Sequence, residues 1–403
     1  MDAGIRTLDD LEAAGSTIGV RVDINSPLTG DGQGLADDAR LRAHVGTLSE
    51  LAERGARVVV LAHQGRPGGE EFGTTEPHAS RLDDLLAAPV EYVDATFCSC
   101  ARERVRETAP GEVVVLENTR FYSEEYMSFD PERAAGTHLV TGLAPVLDAY
   151  VNDAFAAAHR SQPSLVGFPV ALPGFAGRVM ERELEVLGDV RSTARPRVYV
   201  LGGAKADDSI AVAAEVLESG LADRVLTTGV VGNAFLQAEG VFLGEATRSV
   251  VDERAGAGHG EGLDRAADLL ERFPGRIATP RDLAVRRDGR RTVVPVDEFP
   301  VEEQAFDIGP ATVEAYGEIL AEAGTAVLNG PAGMYEDEDF AAGTRELFAA
   351  ARAAGYTIVG GGDTAAALRS FGLEGFDHVS TGGGAALTLL TGGSLPAVEA
   401  LRR

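Results

Sequence analysis

The sequence repeats one local order from end to end. A short run rich in Val, Ile and Leu is followed by a Gly-containing or polar turn and then by a longer Ala/Glu/Leu stretch of helical period. The clearest apolar runs are residues 18–24, 57–62, 113–116, 150–151, 197–201, 225–228, 276–278, 326–328 and 357–359. Strands that alternate with helices predict an α/β fold of parallel sheets flanked by helices. Ligands of such sheets bind at the carboxyl ends of the strands, so the residues after each run are the candidate site residues.

A segment dense in Gly and Pro, residues 167–177, divides this pattern into two halves, and an Arg/Glu/Leu helix pattern follows it at Arg178–Leu187. The sequence therefore predicts two lobes, residues 1–170 and 171–389, with the second lobe beginning at a hinge helix. A hinge between comparable lobes is one way to close water out of a reaction. A static linker fits the same residues equally well.

Acidic residues greatly outnumber basic ones, with 63 Asp and Glu against 36 Lys and Arg and a formal net charge of −27. This charge excludes nucleic acid and anionic lipid as main partners, because both are recognised by basic surfaces. Lys205 is the one lysine of the chain. Acidic excess with almost no lysine favours a halophilic protein, kept dispersed in concentrated salt by its hydrated carboxylates. An acidic protein from a GC-rich genome would have the same composition.

The sequence also favours a cytoplasmic location. No stretch approaches the roughly 18 to 20 apolar residues of a membrane span, and the first residues lack the basic and apolar segments of a secretory signal. Two cysteines, Cys98 and Cys100, are too few for a disulfide framework, and we interpret them as structural.

The strand ends of the first half carry a recurring set of cationic residues. These are Arg21, Arg40, His63, Arg66, Arg120, His159 and Arg160, accompanied by Asp23 and Asn25. Because a guanidinium group can form two parallel hydrogen bonds to phosphate or carboxylate, the set predicts an anion site. Pairing of each arginine with a surface acid, and a packed, hydrogen-bonded role for His63, are the alternatives.

The strand ends of the second half carry glycine instead, in the turns 202–203, 330–333, 360–362 and 382–384. Glycine runs that enter helices let backbone N–H groups approach phosphate oxygens, which predicts a nucleotide site. Lys205 lies in the first of these turns, where its charge can reach a phosphate. Asp363 follows three glycines and is placed either to hold Mg²⁺ beside bound phosphates or to cap a helix.

Two other nucleotide-binding classes can be compared with this pattern. Gly360, Gly362 and Ala365 match the loose G-x-G-x-x-A pattern of dehydrogenases. That match stands near the end of its half, whereas the dehydrogenase pattern opens a βαβ unit. A P-loop NTPase is excluded, because the sequence G-x-x-x-x-G-K-[ST] does not occur in the chain.

Taken in order, the motifs resemble those of phosphoglycerate kinases over nearly the whole chain. They are RVDINSPL (21–28), HQGRP (63–67), LENTRF (116–121), VNDAF (151–155), LGGAK (201–205), DIGP (307–310), NGP (329–331), GGGDT (360–364) and STGGGA (380–385). The resemblance implies a monomeric transferase of glycolysis that moves a phosphoryl group between 1,3-bisphosphoglycerate and ADP with Mg²⁺, giving 3-phosphoglycerate and ATP. It also implies that a C-terminal segment, about 390–403, packs back onto the first lobe.

The resemblance assigns roles by position. It implies a phosphoglycerate site of Arg21, Asp23, Asn25, Arg40, His63, Arg66, Arg120 and Arg160. It implies a Mg-nucleotide site of Gly202, Gly203, Lys205, Phe306, Asn329, Glu336, Gly361, Gly362, Asp363 and Thr364, with Asp363 at the metal, Glu336 at the ribose and Phe306 near the adenine.

Both nucleophiles of the implied reaction are already ionised, so positioning and charge stabilisation are all that catalysis requires. We expect Arg40 and Lys205, with the N–H groups of Gly361 and Gly384, to form that stabilising cage. The sequence departs from the family where Ser209 replaces a common second lysine and where Thr228-Gly229-Val230 replaces three glycines. A nucleotide-dependent dehydrogenase and a sugar-phosphate-binding regulator without transferase activity remain the alternatives.

Overall fold

A computed structural model of the chain describes residues 4–30, 32, 34–254 and 259–402. Every predicted site residue lies within these ranges. The predicted lobe ranges and the C-terminal segment each include a few positions outside them.

The described chain contains two parallel sheets and one small antiparallel sheet. The strands are β1 (Thr17–Arg21), β2 (Arg57–Leu61), β3 (Val90–Val93), β4 (Val113–Leu116), β5 (Ala149–Asn152), β6 (Gly174–Ala176), β7 (Arg197–Leu201), β8 (Arg224–Thr227), β9 (Ile277–Ala278), β10 (Asp282–Arg287), β11 (Arg290–Pro295), β12 (Ala305–Ile308), β13 (Thr325–Asn329), β14 (Thr357–Gly360) and β15 (His378–Val379).

Helices lie between most of these strands. They are α1 (Ala39–Glu53), α2 (Glu76–Leu85), α3 (Ser99–Glu107), α4 (Pro131–Ala135), α5 (His138–Leu143), α6 (Pro163–Val166), α7 (Phe168–Ala171), α8 (Arg178–Gly188), α9 (Ala206–Glu218), α10 (Gly229–Ala238), α11 (Glu245–Arg254), α12 (His259–Arg272), α13 (Pro310–Ala321), α14 (Ala342–Ala351), α15 (Gly362–Phe371), α16 (Gly384–Leu390) and α17 (Pro396–Leu401). The predicted α/β class, with a parallel sheet flanked by helices in each of two lobes, is confirmed.

The chain divides into two compact units, one of Met1–Gly188 with Gly392–Arg403 and one of Asp189–Thr391. The first contains the parallel sheet β3-β4-β2-β1-β5-β6. Its central strands are continuous apolar runs such as 57–61 that are buried on both faces, as expected of a sheet covered by helices. Helix α17 packs on α6, α7 and β6 of this same unit.

Helix α8 belongs to the first unit, whereas the sequence analysis assigned it to the second lobe. Its buried face, which includes Met180 and Leu187, packs towards α1 and β6. Its first turn is held by Asp153, whose Oδ1 accepts a hydrogen bond from the backbone N–H of Val179 at 2.8 Å. The apolar face of the helix thus decides its unit, which its proximity to the Gly/Pro segment could not indicate.

The second unit contains the parallel sheet β15-β14-β13-β7-β8-β9 and the antiparallel sheet β11-β10-β12. The antiparallel sheet was not predicted. Its hairpin joins β10 to β11 through Asp288 and Gly289, which both have positive φ (50° and 72°). An Asp-Gly pair between two apolar-containing runs is the usual signal of a two-residue hairpin, so the sequence did carry this information.

Cys98 and Cys100, exposed at the start of α3, are joined by a disulfide bond. The sequence analysis had not anticipated this bond.

Candidate functional site

The first candidate site lies at the carboxyl end of the first sheet. Strand β1 pairs with β2 on one side and with β5 on the other, so the order of connection reverses beside it. Such a reversal leaves a crevice at the strand ends. Arg21 ends β1, His63 follows β2 closely, and Arg160 follows β5, which brings the predicted cationic residues to one edge.

Arg21 is completely buried and positions His63. Its Nη2 donates a hydrogen bond to Nδ1 of His63 at 2.8 Å, and its Nε donates one to Ser164 at 2.9 Å. Because arginine only donates, Nδ1 is unprotonated and the proton of the neutral imidazole is on Nε2. Burial, together with Arg21, lowers the pKa of His63 well below its ordinary value. His63 therefore acts as a neutral hydrogen-bond donor towards a ligand.

A cavity of about 310 Å³ opens beside His63. Of the predicted residues, it is lined by Asn25, His63, Arg66, Arg120 and Arg160. Arg21, Asp23 and Arg40 are not among its lining residues. The structure thus separates the predicted phosphoglycerate residues into a lining set and a supporting set.

Arg120 is preorganised on this cavity wall. Its Nη1 donates to the backbone carbonyl of Gly65 at 2.6 Å, and only 5% of its surface is exposed. Burial and the neighbouring charge of Arg160 lower the pKa of Arg120 to about 10. The positive charges of Arg120 and Arg160 repel one another. A bound anion offsets this repulsion, so the arrangement favours anion binding.

Asp23 and Arg40 form an ion pair next to this wall, with Oδ2 and Nη1 3.0 Å apart. Burial opposes ionisation of Asp23, but the positive charges of Arg40 and Arg21 outweigh it and lower the pKa to about 2. The carboxylate consequently stays charged and holds Arg40, whose side chain is 42% exposed and free to reach a ligand.

The sequence analysis missed His44, which forms a hydrogen bond with the backbone of Asp23. Its Nδ1 lies 2.7 Å from a carboxylate oxygen of Asp153, and its Nε2 lies 3.2 Å from the backbone N and O of Asp23. His44 lies on the buried face of α1, four residues after Arg40. No motif marks it, because its partners are 21 and 109 residues away in the sequence.

Gly65→Ala is expected to destabilise the protein by about 2 kcal/mol more than Gly68→Ala and to weaken anion binding in the adjoining cavity. Both glycines have positive φ, 64° and 79°. A Cβ at Gly65 would lie 2.4 Å from the carbonyl oxygen of Glu71, whereas at Gly68 nothing lies within 4 Å. Thermal unfolding and anion binding of both variants measure the difference. Equal losses in the two variants would contradict a specific close approach at Gly65.

The second candidate site lies at the carboxyl end of the second sheet, where β7 pairs with both β13 and β8. Here two glycine turns pack directly against each other. The N–H of Gly203 donates to the carbonyl of Pro331 at 2.8 Å, and a Cβ at Gly202 would lie 2.4 Å from that same oxygen. Gly330 has φ 90° and a Cβ there would lie 2.3 Å from the carbonyl of Gly202. Glycine is required at these positions for sterics as well as for ligand approach.

Thr364 and Asn329 lie where the glycine turns that follow β13 and β14 meet. Thr364 is buried, and its Oγ1 accepts a hydrogen bond from the N–H of Gly330 at 2.8 Å. Gly361 has φ 90°, and a Cβ there would lie 3.0 Å from Asn329 Oδ1. These two predicted nucleotide residues therefore shape the turn, while Gly362 opens α15 and is exposed.

Lys205 and Asp363 are the charged residues of these turns. Lys205 is exposed immediately before α9, and Asp363 is exposed in the first turn of α15. Among the described residues, no group of three or more His, Cys, Asp or Glu side chains could hold a metal ion. A single exposed carboxylate suits Mg²⁺ that is bound mainly by phosphate oxygens and water.

A cavity of about 290 Å³ lies beside these turns. Gly203, Phe306, Glu336 and Asp363 line it, as members of the predicted nucleotide set. Gly202, Lys205, Asn329, Gly361, Gly362 and Thr364 do not line it, and neither does Gly384 at the start of α16. Sequence reasoning missed most of the other lining residues, among them the polar Asn233, Arg254, Gln304, Asp307 and Tyr335, although Asp307 stands in a quoted motif.

Asp307 gives this unit a pH-dependent stability. Burial raises its pKa to about 6, against the electrostatic effect of Arg291 at 3.2 Å. A protonated Asp307 therefore stabilises the folded state. This contribution to the unfolding free energy is complete below the unfolded pKa of 3.8 and is lost as pH rises through about 6. We expect the unfolding free energy of wild type relative to Asp307→Asn to fall by about 1 kcal/mol from pH 5 to pH 7.5. Denaturant titration of both proteins measures it, and parallel pH profiles would contradict it.

Within the described part of the chain, no helix is long and apolar enough to cross a membrane.

The comparisons with known proteins point to one family. The family model described as phosphoglycerate kinase matches residues 8–393. A phosphoglycerate kinase from Natronomonas pharaonis is 64% identical, over 99% of this chain and 100% of that protein. One from Halobacterium salinarum is 63% identical, with the same shares of both chains covered.

Solved structures give the same family. The crystal structure of phosphoglycerate kinase from Pyrococcus horikoshii superposes with a TM-score of 0.92 at 41% identity, covering 98% of each chain. A phosphoglycerate kinase structure from Coxiella burnetii gives a TM-score of 0.79 at 31% identity, also covering 98% of each chain.

Proposed function

The chain belongs to the phosphoglycerate kinase family, and from this premise we propose that it catalyses reversible phosphoryl transfer between 1,3-bisphosphoglycerate and ADP. At the level of residues, the proposal rests on the cavity of about 310 Å³ beside His63 in the first unit. It contains the neutral His63, which donates a hydrogen bond from Nε2, and Arg120, whose pKa is lowered by burial and by the charge of Arg160. The phosphate and carboxylate of a phosphoglycerate would accept a hydrogen bond from His63 and balance the charges of Arg120 and Arg160.

In this proposal Arg66, Arg120, Arg160, His63 and Asn25 bind the phosphoglycerate directly. Arg21 holds the tautomer and orientation of His63, and Asp23 holds Arg40 in position to reach the reacting end. Arg21 and Asp23 are therefore positioning residues. This refines the expectation that all eight residues touch the substrate.

The second unit binds the nucleotide in this proposal. The turn at Gly361 and Gly362 presents backbone N–H groups to the phosphates. The N–H groups of Gly202 and Gly203 already donate to the carbonyls of Asn329 and Pro331, so these two glycines let the neighbouring turns approach closely, and Thr364 accepts from the N–H of Gly330. Glu336 and Phe306 line the neighbouring cavity and are assigned to the ribose and the base. Asp363 would hold Mg²⁺, which neutralises charge on the nucleotide phosphates when it is bound.

Catalysis then rests on positioning and charge. The attacking carboxylate or phosphate oxygen is already ionised, so no general base is required. Arg40 and Lys205, with the N–H groups of Gly361 and Gly384, stabilise the charge on the transferring phosphoryl group. The proposal further includes hinge closure during transfer, action as a monomer, and a cytoplasmic location, as the family resemblance implies.

Consumption of ATP that depends on 3-phosphoglycerate and Mg²⁺, measured in molar KCl with coupling to NADH oxidation, tests the reaction. Reactions without 3-phosphoglycerate serve as the control. If wild type binds both ligands without transfer, the chain is a sugar-phosphate-binding regulator instead. The dehydrogenase alternative gains no support, because its glycine pattern lies on β14 and α15, near the end of its unit.

The net charge predicts that the protein requires salt. We expect the midpoint of thermal unfolding to rise by about 10 °C between 0.2 and 2 M KCl, because salt screens the mutual repulsion of a surface with 27 excess negative charges. The 64% and 63% identical relatives from Natronomonas and Halobacterium are in keeping with this expectation. Calorimetry over a KCl series measures the change, and a constant or falling midpoint would contradict it.

A further inference from the structure

Arg21 is connected to a buried carboxylate through one serine hydroxyl. Its guanidinium group donates to Ser164 Oγ at 2.9 Å, to Nδ1 of His63 at 2.8 Å and to the backbone carbonyl of Val22, all of them uncharged acceptors. Glu125 is 1% exposed and lies one hydrogen bond beyond Ser164. A buried positive charge is stabilised by an opposite charge nearby, and Glu125 supplies one through the Ser164 hydroxyl.

Ser164 is held in place by three hydrogen bonds besides the one from Arg21. Its N–H and its hydroxyl donate to Oε1 and Oε2 of Glu125, each at 2.7 Å. Its backbone carbonyl accepts from the hydroxyl of Tyr150 at 2.7 Å, and the residue is completely buried. Because the network is enclosed and its polar groups are paired, the hydroxyl offers Arg21 one fixed acceptor.

The chemistry of these groups fixes the direction of each hydrogen bond. A carboxylate only accepts, so the Ser164 hydroxyl donates its single proton to Glu125 and can only accept from Arg21. Arg21 only donates, so Nδ1 of His63 accepts. The neutral ring then carries its proton on Nε2, which is the nitrogen left to donate to a ligand in the cavity.

We propose that Glu125 and Ser164 are positioning residues of the anion site, which act through Arg21 to keep His63 in the tautomer that donates from Nε2. The identity of the ligand as a phosphoglycerate rests on the proposed function, whereas the tautomer does not. Without the Ser164 hydroxyl, the buried Nε–H of Arg21 loses its acceptor, and the guanidinium group is drawn towards the carboxylate of Glu125. His63 can then be protonated at Nδ1, and that tautomer has no proton on Nε2 to donate to an anion.

The ¹⁵N resonances of the histidine rings test the proposal in the ligand-free protein, because protonated and unprotonated ring nitrogens resonate in separate regions. Wild type is expected to show His63 with a protonated Nε2 and an unprotonated Nδ1. In Ser164→Ala, the Nδ1 resonance should move towards the protonated region as the two tautomers mix. His44, whose ring bonds to Asp153 in the same unit, should be unaffected. A His63→Gln variant assigns the His63 signals among those of the seven histidines.

Equilibrium binding of 3-phosphoglycerate is the second measurement. Ser164→Ala is expected to weaken it about tenfold, which corresponds to one hydrogen bond to a charged ligand. Ser164→Thr keeps the hydroxyl and should restore the affinity and the tautomer. Glu125→Gln provides a variant at the other residue. Its amide can donate to Ser164, so the direction of the hydrogen bonds is no longer fixed and mixed tautomers are expected.

Ser26→Ala is the matched control. The Ser26 hydroxyl is buried in the same unit and has no hydrogen-bond partner among the described residues. Its removal should leave the His63 tautomer and the affinity for 3-phosphoglycerate unchanged. Equal effects of Ser26→Ala and Ser164→Ala would indicate a general disturbance of the unit and overturn the proposal.

Three other results would also overturn it. They are a wild-type His63 protonated at Nδ1, a wild-type tautomer or affinity retained in Ser164→Ala, and a folded Ser164→Thr that behaves like Ser164→Ala. If Ser164→Ala does not fold, a wild-type tautomer in Glu125→Gln has the same meaning. Failure of the proposed function has a different signature. The tautomers would then respond as expected, but wild type would neither bind nor phosphorylate 3-phosphoglycerate.

Discussion

Lys205→Ala is expected to lower kcat for phosphoryl transfer by about 10²- to 10³-fold while the protein remains folded. Lys205 is exposed immediately before α9, next to the turn formed by Gly202 and Gly203. In the proposed mechanism its ammonium group meets charge that develops on the transferring phosphoryl group, so its loss should reduce kcat more than it weakens ATP binding. Steady-state kinetics with varied ATP separates the two effects.

Arg272→Ala is the control for this experiment. Arg272 pairs with Glu218 at the opposite end of α9, at 2.7 Å, and its side chain is 47% exposed. The variant removes one positive charge from the same acidic protein without touching the glycine turns. A Lys205→Ala variant that keeps kcat within threefold of wild type would exclude Lys205 from the charge-stabilising cage.

Arg40→Ala is expected to lower kcat/KM for 3-phosphoglycerate by about 10²-fold. Asp23 holds the Arg40 guanidinium at 3.0 Å, and the pKa of Asp23, lowered to about 2, keeps that carboxylate ionised at all working pH values. Removing Arg40 deletes a positive charge and leaves Asp23 facing the anionic substrate. Both consequences destabilise the transition state relative to free enzyme and substrate and so lower kcat/KM.

Arg42→Ala is the matched control, because it removes the same side chain two residues further along α1. Arg42 is 57% exposed and pairs with Asp38, away from Asp23. Thermal unfolding of both variants separates an effect on the fold from one on the substrate. Similar kinetics for Arg40→Ala and Arg42→Ala would show that Arg40 acts only as surface charge.

Local sequence predicted the parallel strands well and the antiparallel sheet not at all. All nine predicted runs overlap strands, because buried parallel strands are continuous apolar runs that stand out from amphipathic helices. Strand β11 is mostly exposed, with only Val294 buried in the run from Arg290 to Pro295. Its two neighbouring arginines and its single buried residue hide it from a search for apolar runs.

The candidate sites likewise divide into features that the sequence predicted and features that it did not. The motif residues stand at strand ends, so their presence at one edge of each sheet followed from the α/β pattern alone. Which of them face a cavity did not follow. Arg21 and Arg120 each occur in a motif at the end of a strand. Arg21 is nevertheless fully buried and holds His63, whereas Arg120 lines the cavity.

The sequence by itself therefore determined the fold class, the family and the edges of the sheets at which the candidate site residues lie. These depend on hydrophobic period and on turns of adjacent residues, which are local along the chain. Only the tertiary structure decided the unit to which α8 belongs, the support of Asp23 by His44, and the hydrogen bonds that connect Glu125 to His63. Burial and hydrogen-bond satisfaction depend on residues far apart in sequence, so no local pattern contains them.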